Sequence, residues 1–208
     1  MSLPVAYNAS RPGEIFVRSY GWINVFSWDD GFLYDEYQLV TTGGGAINAG
    51  TEGVFFRDIQ NKTARQTNMS LTSQLPSGWE MIVLNIGVHV QGDIAEADAK
   101  AIHEYGYVEF VLDNSAVMKS GPVTAFPSGF GLHGHVDISS NTAQAFIEYG
   151  NGLPVATSVP PLSIPIILTD LRTFRGSIRF YDTISGLSAA ATIKIQMLLH
   201  GFIKQPAM

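Results

Sequence analysis

An all-β fold is what the 208-residue sequence predicts: a single jelly-roll or Greek-key β-sandwich of about 8–10 strands with one short helix at about 94–105. Three observations predict it. Apolar and polar residues alternate with a period of two through about ten separate runs, which is the spacing that sets one face of a strand on a core. The runs are divided by segments rich in glycine, proline, asparagine and aspartate, the residues that turn a chain. Only one segment has helical spacing, so the strand–helix alternation of a parallel α/β fold is missing. The chain reads as one β-sandwich domain, 1–208, with an N-terminal arm over about 1–13.

The elements follow in order. Ile15 to Trp28 sets Ile15, Val17, Ile23 and Val25 against Phe16, Tyr20, Trp22, Phe26 and Trp28. Both faces carry apolar or aromatic groups, so both are expected to be covered, and Gly21 marks a bulge or a break between two strands. Phe32 to Thr41 is the next strand, and Gly53 to Arg57 is a short one beyond the glycine-rich loop or edge Thr42 to Gly50. Thr67 to Leu75 alternates Met69, Leu71 and Leu75 with Asn68, Ser70, Thr72 and Gln74, which predicts a strand. Trp79 to Val90 is long, with Ile82, Leu84, Ile86, Val88 and Val90 expected on one face. Asp93 to Tyr105 spaces Ile94, Ala97, Ala101, Ile102 and Tyr105 as a helix does. Asp93 suits the N-cap with Glu96 three residues on, and Gly106 suits the stop. Tyr107 to Leu112 and Ala116 to Lys119 flank Asp113-Asn114-Ser115, a hairpin turn. Gln144 to Tyr149, Ile164 to Leu168, Arg172 to Tyr181 and Ala190 to Ile203 complete the strands. The segment Asn151 to Pro165, with four prolines, is an extended crossover.

Composition excludes several classes. There is no cysteine, hence no disulfide, thiolate metal site or cysteine nucleophile. No apolar run approaches the roughly 18 residues of a spanning helix. Met1-Ser2-Leu3-Pro4 has no basic region followed by an apolar core, so no signal peptide is expected. Asn8, Asn61 and Asn68 stand in glycosylation patterns, which match by chance often and here come with no sign of secretion. A pI near 5.2 argues against specific nucleic-acid recognition. Charged residues make up only 14% of the chain. A free monomer uses surface charge to stay dispersed, whereas a subunit covered by neighbours does not need it. That charge is also segregated: residues 81–170 hold nine acids and two bases, and residues 171–208 hold five bases and one acid.

Several constellations are candidates for chemistry. Gly129-Phe130-Gly131-Leu132-His133-Gly134 matches a dinucleotide fingerprint in spacing, but no βα frame surrounds it, so a glycine-rich surface loop is the reading. No metal is expected; His133, His135 and Asp137 are the candidates, since alternate residues of a strand put two imidazoles on one face, which suits zinc or a similar ion, with loop or interface histidines as the default reading. Asp29-Asp30 and Asp35-Glu36 pair carboxylates near aromatics. On a turn such acids point apart into solvent; facing each other they would suit glycoside hydrolysis or calcium. Trp22, Trp28, Tyr34 and Tyr37 are interface or ligand candidates, either as packing aromatics or as a sugar-stacking platform. Arg175 and Arg179 share one strand face opposite Phe174, Ile178 and Phe180 and are candidates for intersubunit pairing or for lipid or genome phosphates. No catalytic residue and no cofactor is expected, because no nucleophile elbow, phosphate loop or His-Glu-x-x-His is present.

One stretch carries a family resemblance. A short helix, Ala95 to Glu104, leads to Gly106-Tyr107-Val108-Glu109-Phe110. Then come a turn, Val117-Met118-Lys119-Ser120-Gly121-Pro122, and Phe126-Pro127-Ser128-Gly129-Phe130-Gly131. Over residues 80–131 this resembles the virion structural proteins of tailless icosahedral bacterial viruses, whose upright jelly rolls form a capsid shell. Members with two fused jelly rolls are longer, so the resemblance implies one roll here. It also implies self-association into a large homo-oligomer and residence in the virion after synthesis in the host cytoplasm. Penton, spike or other capsid partners, and an internal membrane or genome met by the basic C-terminal strands, are implied too. It carries no catalytic residues. The expected function is therefore a non-enzymatic capsid protein. The alternatives are a carbohydrate- or receptor-binding β-sandwich and a metal-dependent cupin-like enzyme.

Overall fold

A computed structural model of the chain describes residues 5–7, 13–18, 20–41, 45–91, 96–128, 134–135, 147–148, 161–187 and 192–206. Strands β1 (Val5–Tyr7), β2 (Glu14–Val17) and β3 (Gly21–Asn24) form a small antiparallel sheet. Then come β4 (Asp29–Val40), β5 (Glu52–Phe55), β6 (Glu80–Gln91), helix α1 (Glu96–Tyr105), β7 (Gly106–Leu112) and β8 (Ala116–Pro122). Two-residue strands β9 (Gly134–His135) and β10 (Ile147–Glu148) pair with each other. Strands β11 (Ile166–Thr169), β12 (Phe174–Phe180) and β13 (Thr192–Lys204) complete the chain.

Two four-stranded antiparallel sheets, β11-β6-β13-β4 and β5-β12-β7-β8, face each other. The pairs are β4 with β13, β5 with β12, β6 with β11 and β7 with β8. A ribbon of strands running outward is thus paired throughout with a ribbon running back, and the double ribbon is rolled so that successive pairs alternate between sheets. That is the jelly roll, and it meets the expected fold class. Its core holds six phenylalanines at 55, 56, 110, 126, 174 and 180, each at most 1% exposed. Interdigitating side chains of this size are what hold two sheet faces together.

Local signals behave largely as expected. Asp113 and Asn114 take φ of 49° and 61°, and Ser115 N–H donates to the Leu112 carbonyl at 3.2 Å. This is a tight turn inside the three-residue hairpin loop Asp113-Asn114-Ser115, with φ positive at both central residues, which suits the twist of the strands. Gly21, at φ 108°, begins β3 after Tyr20 N–H donates to the Val17 carbonyl at 3.1 Å, so the long run from Ile15 is two strands. Helix α1 lies within the expected 94–105, while Asp93, its expected N-cap, is outside the described residues. Gly106 ends the helix by close packing: a Cβ there would lie 2.5 Å from the Ile102 carbonyl oxygen. Within the expected N-terminal arm, Val5–Tyr7 pairs with β2. Of Gln144 to Tyr149 only β10 is among the described residues, and most of the Asn151 to Pro165 crossover lies outside them.

Two expectations fail. Thr67 to Leu75 forms no strand; it makes only single bridges, Thr67 to Asp35 and Gln74 to Thr173. Its alternation is overridden because its polar groups bind other elements, and Ser73 turns the chain with a φ of 55°. The five apolar residues of β6 also do not share one face. The pairing with β13 shifts between His200 and Gly201, which leaves Leu84 as an extra residue. The bulge turns Ile82 and Leu84 outward, while Ile86, Val88 and Val90 enter the main core. At that bulge a Cβ on Gly201 would sit 1.9 Å from the Ile82 carbonyl oxygen. Gly201→Ala is therefore expected to cost at least the roughly 1–3 kcal/mol typical of overpacking, read as a lower denaturant midpoint.

Candidate functional site

The outer face of the β4-β13-β6 ladder is built in rows fixed by register. Gln38 and Lys194 form the first; Glu36, Gln196 and His89 the second; Tyr34, Leu198 and Gly87 the third. Phe32, His200 and Asn85 form the fourth, and Asp30, Phe202 and Ile82 the fifth. The small β1-β2-β3 sheet and the turn after it cover the last rows. Val17, Ile23, Trp28 and Ile82 form one buried cluster, with Ile15, Tyr20, Leu84 and Phe202 packed against it. Tyr20 stacks edge-on against Trp28 at 5.4 Å, and its hydroxyl donates to Glu80 at 3.1 Å. Burial, then Glu80, pushes that phenol up to about 12. Lys204 lies 5.9 Å above the Trp28 ring. Hence the N-terminal strands cover part of this outer face; of the two faces of Ile15 to Trp28 expected to be covered, the one bearing Val17 and Ile23 is buried here, while Phe16, Trp22 and Phe26 stay exposed.

Edge strand β4 is sheathed by residues 62–68. Glu36 N–H donates to the Gln66 carbonyl at 2.8 Å, and Asn68 exchanges hydrogen bonds with Tyr34 and Phe32. Tyr34 hydroxyl donates to the Ala64 carbonyl. Sheathing of this kind removes a bare row of backbone groups that would otherwise pair with another chain. The clamp is Lys62, whose Nζ lies 2.8 Å from both oxygens of Asp35. Asp35 is fully buried and also accepts the N–H of Phe56 at 2.7 Å, a residue held at φ 65°. Burial pushes the Asp35 carboxyl above its ordinary value, and Lys62, Phe56 N–H and Thr67 pull it back. Glu36 is 1% exposed; its Oε1 accepts from Gln38 and Gln66, and its Oε2 meets no donor. Asp35-Glu36 thus lies within the expected Phe32–Thr41 strand, and the expectation that these acids point into solvent is overturned. Both lie within a strand under a loop whose partners stand about 30 residues away in sequence. Asp29 and Asp30 are exposed, and Asp30 meets His200 at 2.9 Å.

The four candidate aromatics do not form one platform. Trp28 is 7% exposed beneath the N-terminal sheet, and Tyr37 packs edge-on against Phe55 at 6.3 Å with its ring over Gly53. Tyr34 is held by the sheath, and Trp22, at 37% exposure, is the exposed one of the four. It stacks edge-on with Phe16, 5.4 Å away. Phe26 is 88% exposed nearby in sequence, in the short turn after β3. This aromatic face is one candidate assembly surface. A second is edge strand β8, where Val117 and Met118 are exposed while Lys119 points inward over the Phe126 ring at 4.3 Å. Burial lowers that ammonium's pKa. An inward charge is one device that blunts an edge strand against indiscriminate pairing.

The basic strands are largely engaged within the chain. Arg179 pairs with Glu52 at 3.1 Å and Arg172 with Asp113 at 2.6 Å, the latter tying two turns together. Arg175 shares the Arg179 face, half-buried. His133 and Asp137 lie outside the described residues, and His135 is placed only as part of β9. Among the described residues no group of three metal-binding side chains converges, and no helix is long and apolar enough to cross a membrane. Sequence reading missed the Asp35–Lys62 clamp and the Phe16–Trp22 pairing. The second was signalled by the alternation of β2 and β3, the first by nothing local. Comparison with protein-family models and with curated proteins finds no match.

Proposed function

We propose that the chain is a non-enzymatic structural subunit that self-associates into a viral capsid shell, as a major capsid protein or an associated virion component. The observation that supports this most is the presence of two unlike apolar surfaces, Phe16–Trp22 with Phe26 and the Val117–Met118 edge. Unlike patches favour head-to-tail contacts, which repeat and close into rings or shells, whereas one self-complementary patch gives a dimer. The low overall charge fits a molecule whose surface is shared with neighbours. The double variant Phe16→Ala, Trp22→Ala is expected to fold, since surface changes usually alter stability by about 0.5 kcal/mol and this pair adds about 1 kcal/mol. It should assemble only at higher concentration than the wild type, as read by light scattering. Unchanged assembly would remove this face from the account.

The exposed indole of Trp22 also favours a second reading, a carbohydrate- or receptor-binding sandwich. Glycan-array binding lost in Trp22→Ala, by a protein that stays monomeric, would establish that reading in place of the first.

A further inference from the structure

We propose that the outer face of the β5-β12-β7-β8 sheet carries a sugar site: a pyranose ring stacks on Tyr181 while the Arg179–Glu52 pair holds two neighbouring hydroxyls. Hydrogen-bonded register sets Glu52, Arg179, Tyr107 and Pro122 in one row across all four strands. Phe174, Ile178 and Phe180 enter the core, which turns Arg179 and its row outward. Arg179 Nη2 lies 3.1 Å from Glu52 Oε1, and the two side chains are 37% and 33% exposed. Tyr181 meets Tyr107 edge-on at 5.7 Å and is 61% exposed, so a ring face stands beside the ion pair. The N-terminal sheet with Trp22 packs on the other sheet of the sandwich, so this face is separate from it. The site does not depend on whether the chain assembles.

The chemistry on this face matches a sugar in two ways. A pyranose has a face of C–H groups, which an exposed aromatic ring covers, and a rim of hydroxyls that each donate and accept. The guanidinium donates to one hydroxyl oxygen and the carboxylate accepts the proton of the next, both of them hydrogen bonds to charged groups. Arg179 and Glu52 already hold each other in the free protein, so binding costs little side-chain freedom. The charge around the pair selects an uncharged ligand. Glu109, opposite Ser177 in the next row, and exposed Asp182 add two acids to a pair that is neutral by itself. Arg175, the other cation of this face, stands four residues along β12, about 13 Å away. A phosphate or sulfate is therefore repelled where a neutral sugar is not. Arg179 and Tyr107 also lie on the two central strands, whose backbone groups are paired on both sides, so strand addition is not available to them.

A glycan array probed with the full chain, with neutral, sialylated and sulfated oligosaccharides side by side, tests this. Neutral sugars should bind. Tyr181→Ala should weaken that binding about tenfold, the value of a good aromatic contact, and Tyr181→Phe should keep most of it. Glu52→Gln should weaken it severalfold, and Trp22→Ala should leave it unchanged. Tyr181 is a surface residue, so the alanine variant should fold, and Glu52→Gln answers independently if it does not. No binding by the wild type, binding confined to sialylated or sulfated glycans, or unchanged binding in Tyr181→Ala or Glu52→Gln would each overturn the proposal. Binding lost in Trp22→Ala but kept in Tyr181→Ala would overturn it too, and would leave the Trp22 reading standing. Self-association weakened by Tyr181→Ala, with no glycan bound, would overturn it and assign the face to a neighbouring subunit.

Discussion

Lys62→Met is expected to lower stability by about 3–5 kcal/mol, the usual cost of leaving one partner of a buried ion pair behind. Asp35 has no exposed side-chain surface and Lys62 little, so water cannot replace the lost ammonium. The carboxylate also holds Phe56 in a left-handed conformation that a bulky residue rarely adopts, and its disturbance reaches β5. Acidification should narrow the deficit. The folded-state carboxyl already titrates above 3.8, and loss of Lys62 pushes it further up. The stability tied to its neutral form is fully present below 3.8 and is lost as pH rises through the raised value. The double variant Lys62→Met, Asp35→Asn keeps an acceptor for Phe56 N–H without a charge, and most of the stability should return. Denaturant unfolding of the three proteins at two pH values checks this; equal midpoints for wild type and Lys62→Met would contradict it.

Trp28→Ala should cost about 3–5 kcal/mol, as truncation of a buried large aromatic does. The ring lies between the N-terminal strands and the outer face of β6 and β13, touched by Tyr20 and Lys204. Its removal is expected to loosen β1–β3 and expose Ile82, Leu84 and Phe202, an apolar patch on a β surface that invites aggregation. Dye binding to exposed apolar surface should increase, with the eight-stranded core still giving a cooperative transition. A variant with unchanged melting temperature and no added dye binding would show that the N-terminal sheet does not depend on this contact.

Much of the fold was legible because its signals are local. Period-two alternation marked β4, β6, β12 and β13, Asp113-Asn114 marked a turn, and Ala97-Ala101-Ile102-Tyr105 marked α1, the one α-helix among the described residues. The charge-poor, two-faced run from Ile15 to Trp28 announced a covered outer surface, but not that β2 and β3 themselves supply the cover. What stayed illegible depends on partners distant in sequence. Asp35-Glu36 looks like a surface pair until Lys62 and Gln66 close over it. Thr67 to Leu75 alternates like a strand, yet Thr67 and Asn68 spend their hydrogen bonds on the edge of β4. The β6 bulge at Leu84 divides one apolar run between two cores, and no spacing rule registers an extra residue. Trp28 and Tyr37 looked available for a ligand because alternation cannot say what lies on the far side of a sheet.

Sedimentation velocity of the purified full chain over a wide concentration range, with electron microscopy of the same samples, tests the central claim most directly. A shell subunit should appear as closed particles many times the 22.6 kDa of one chain, in equilibrium with small intermediates. A single 22.6 kDa species at every concentration would contradict it.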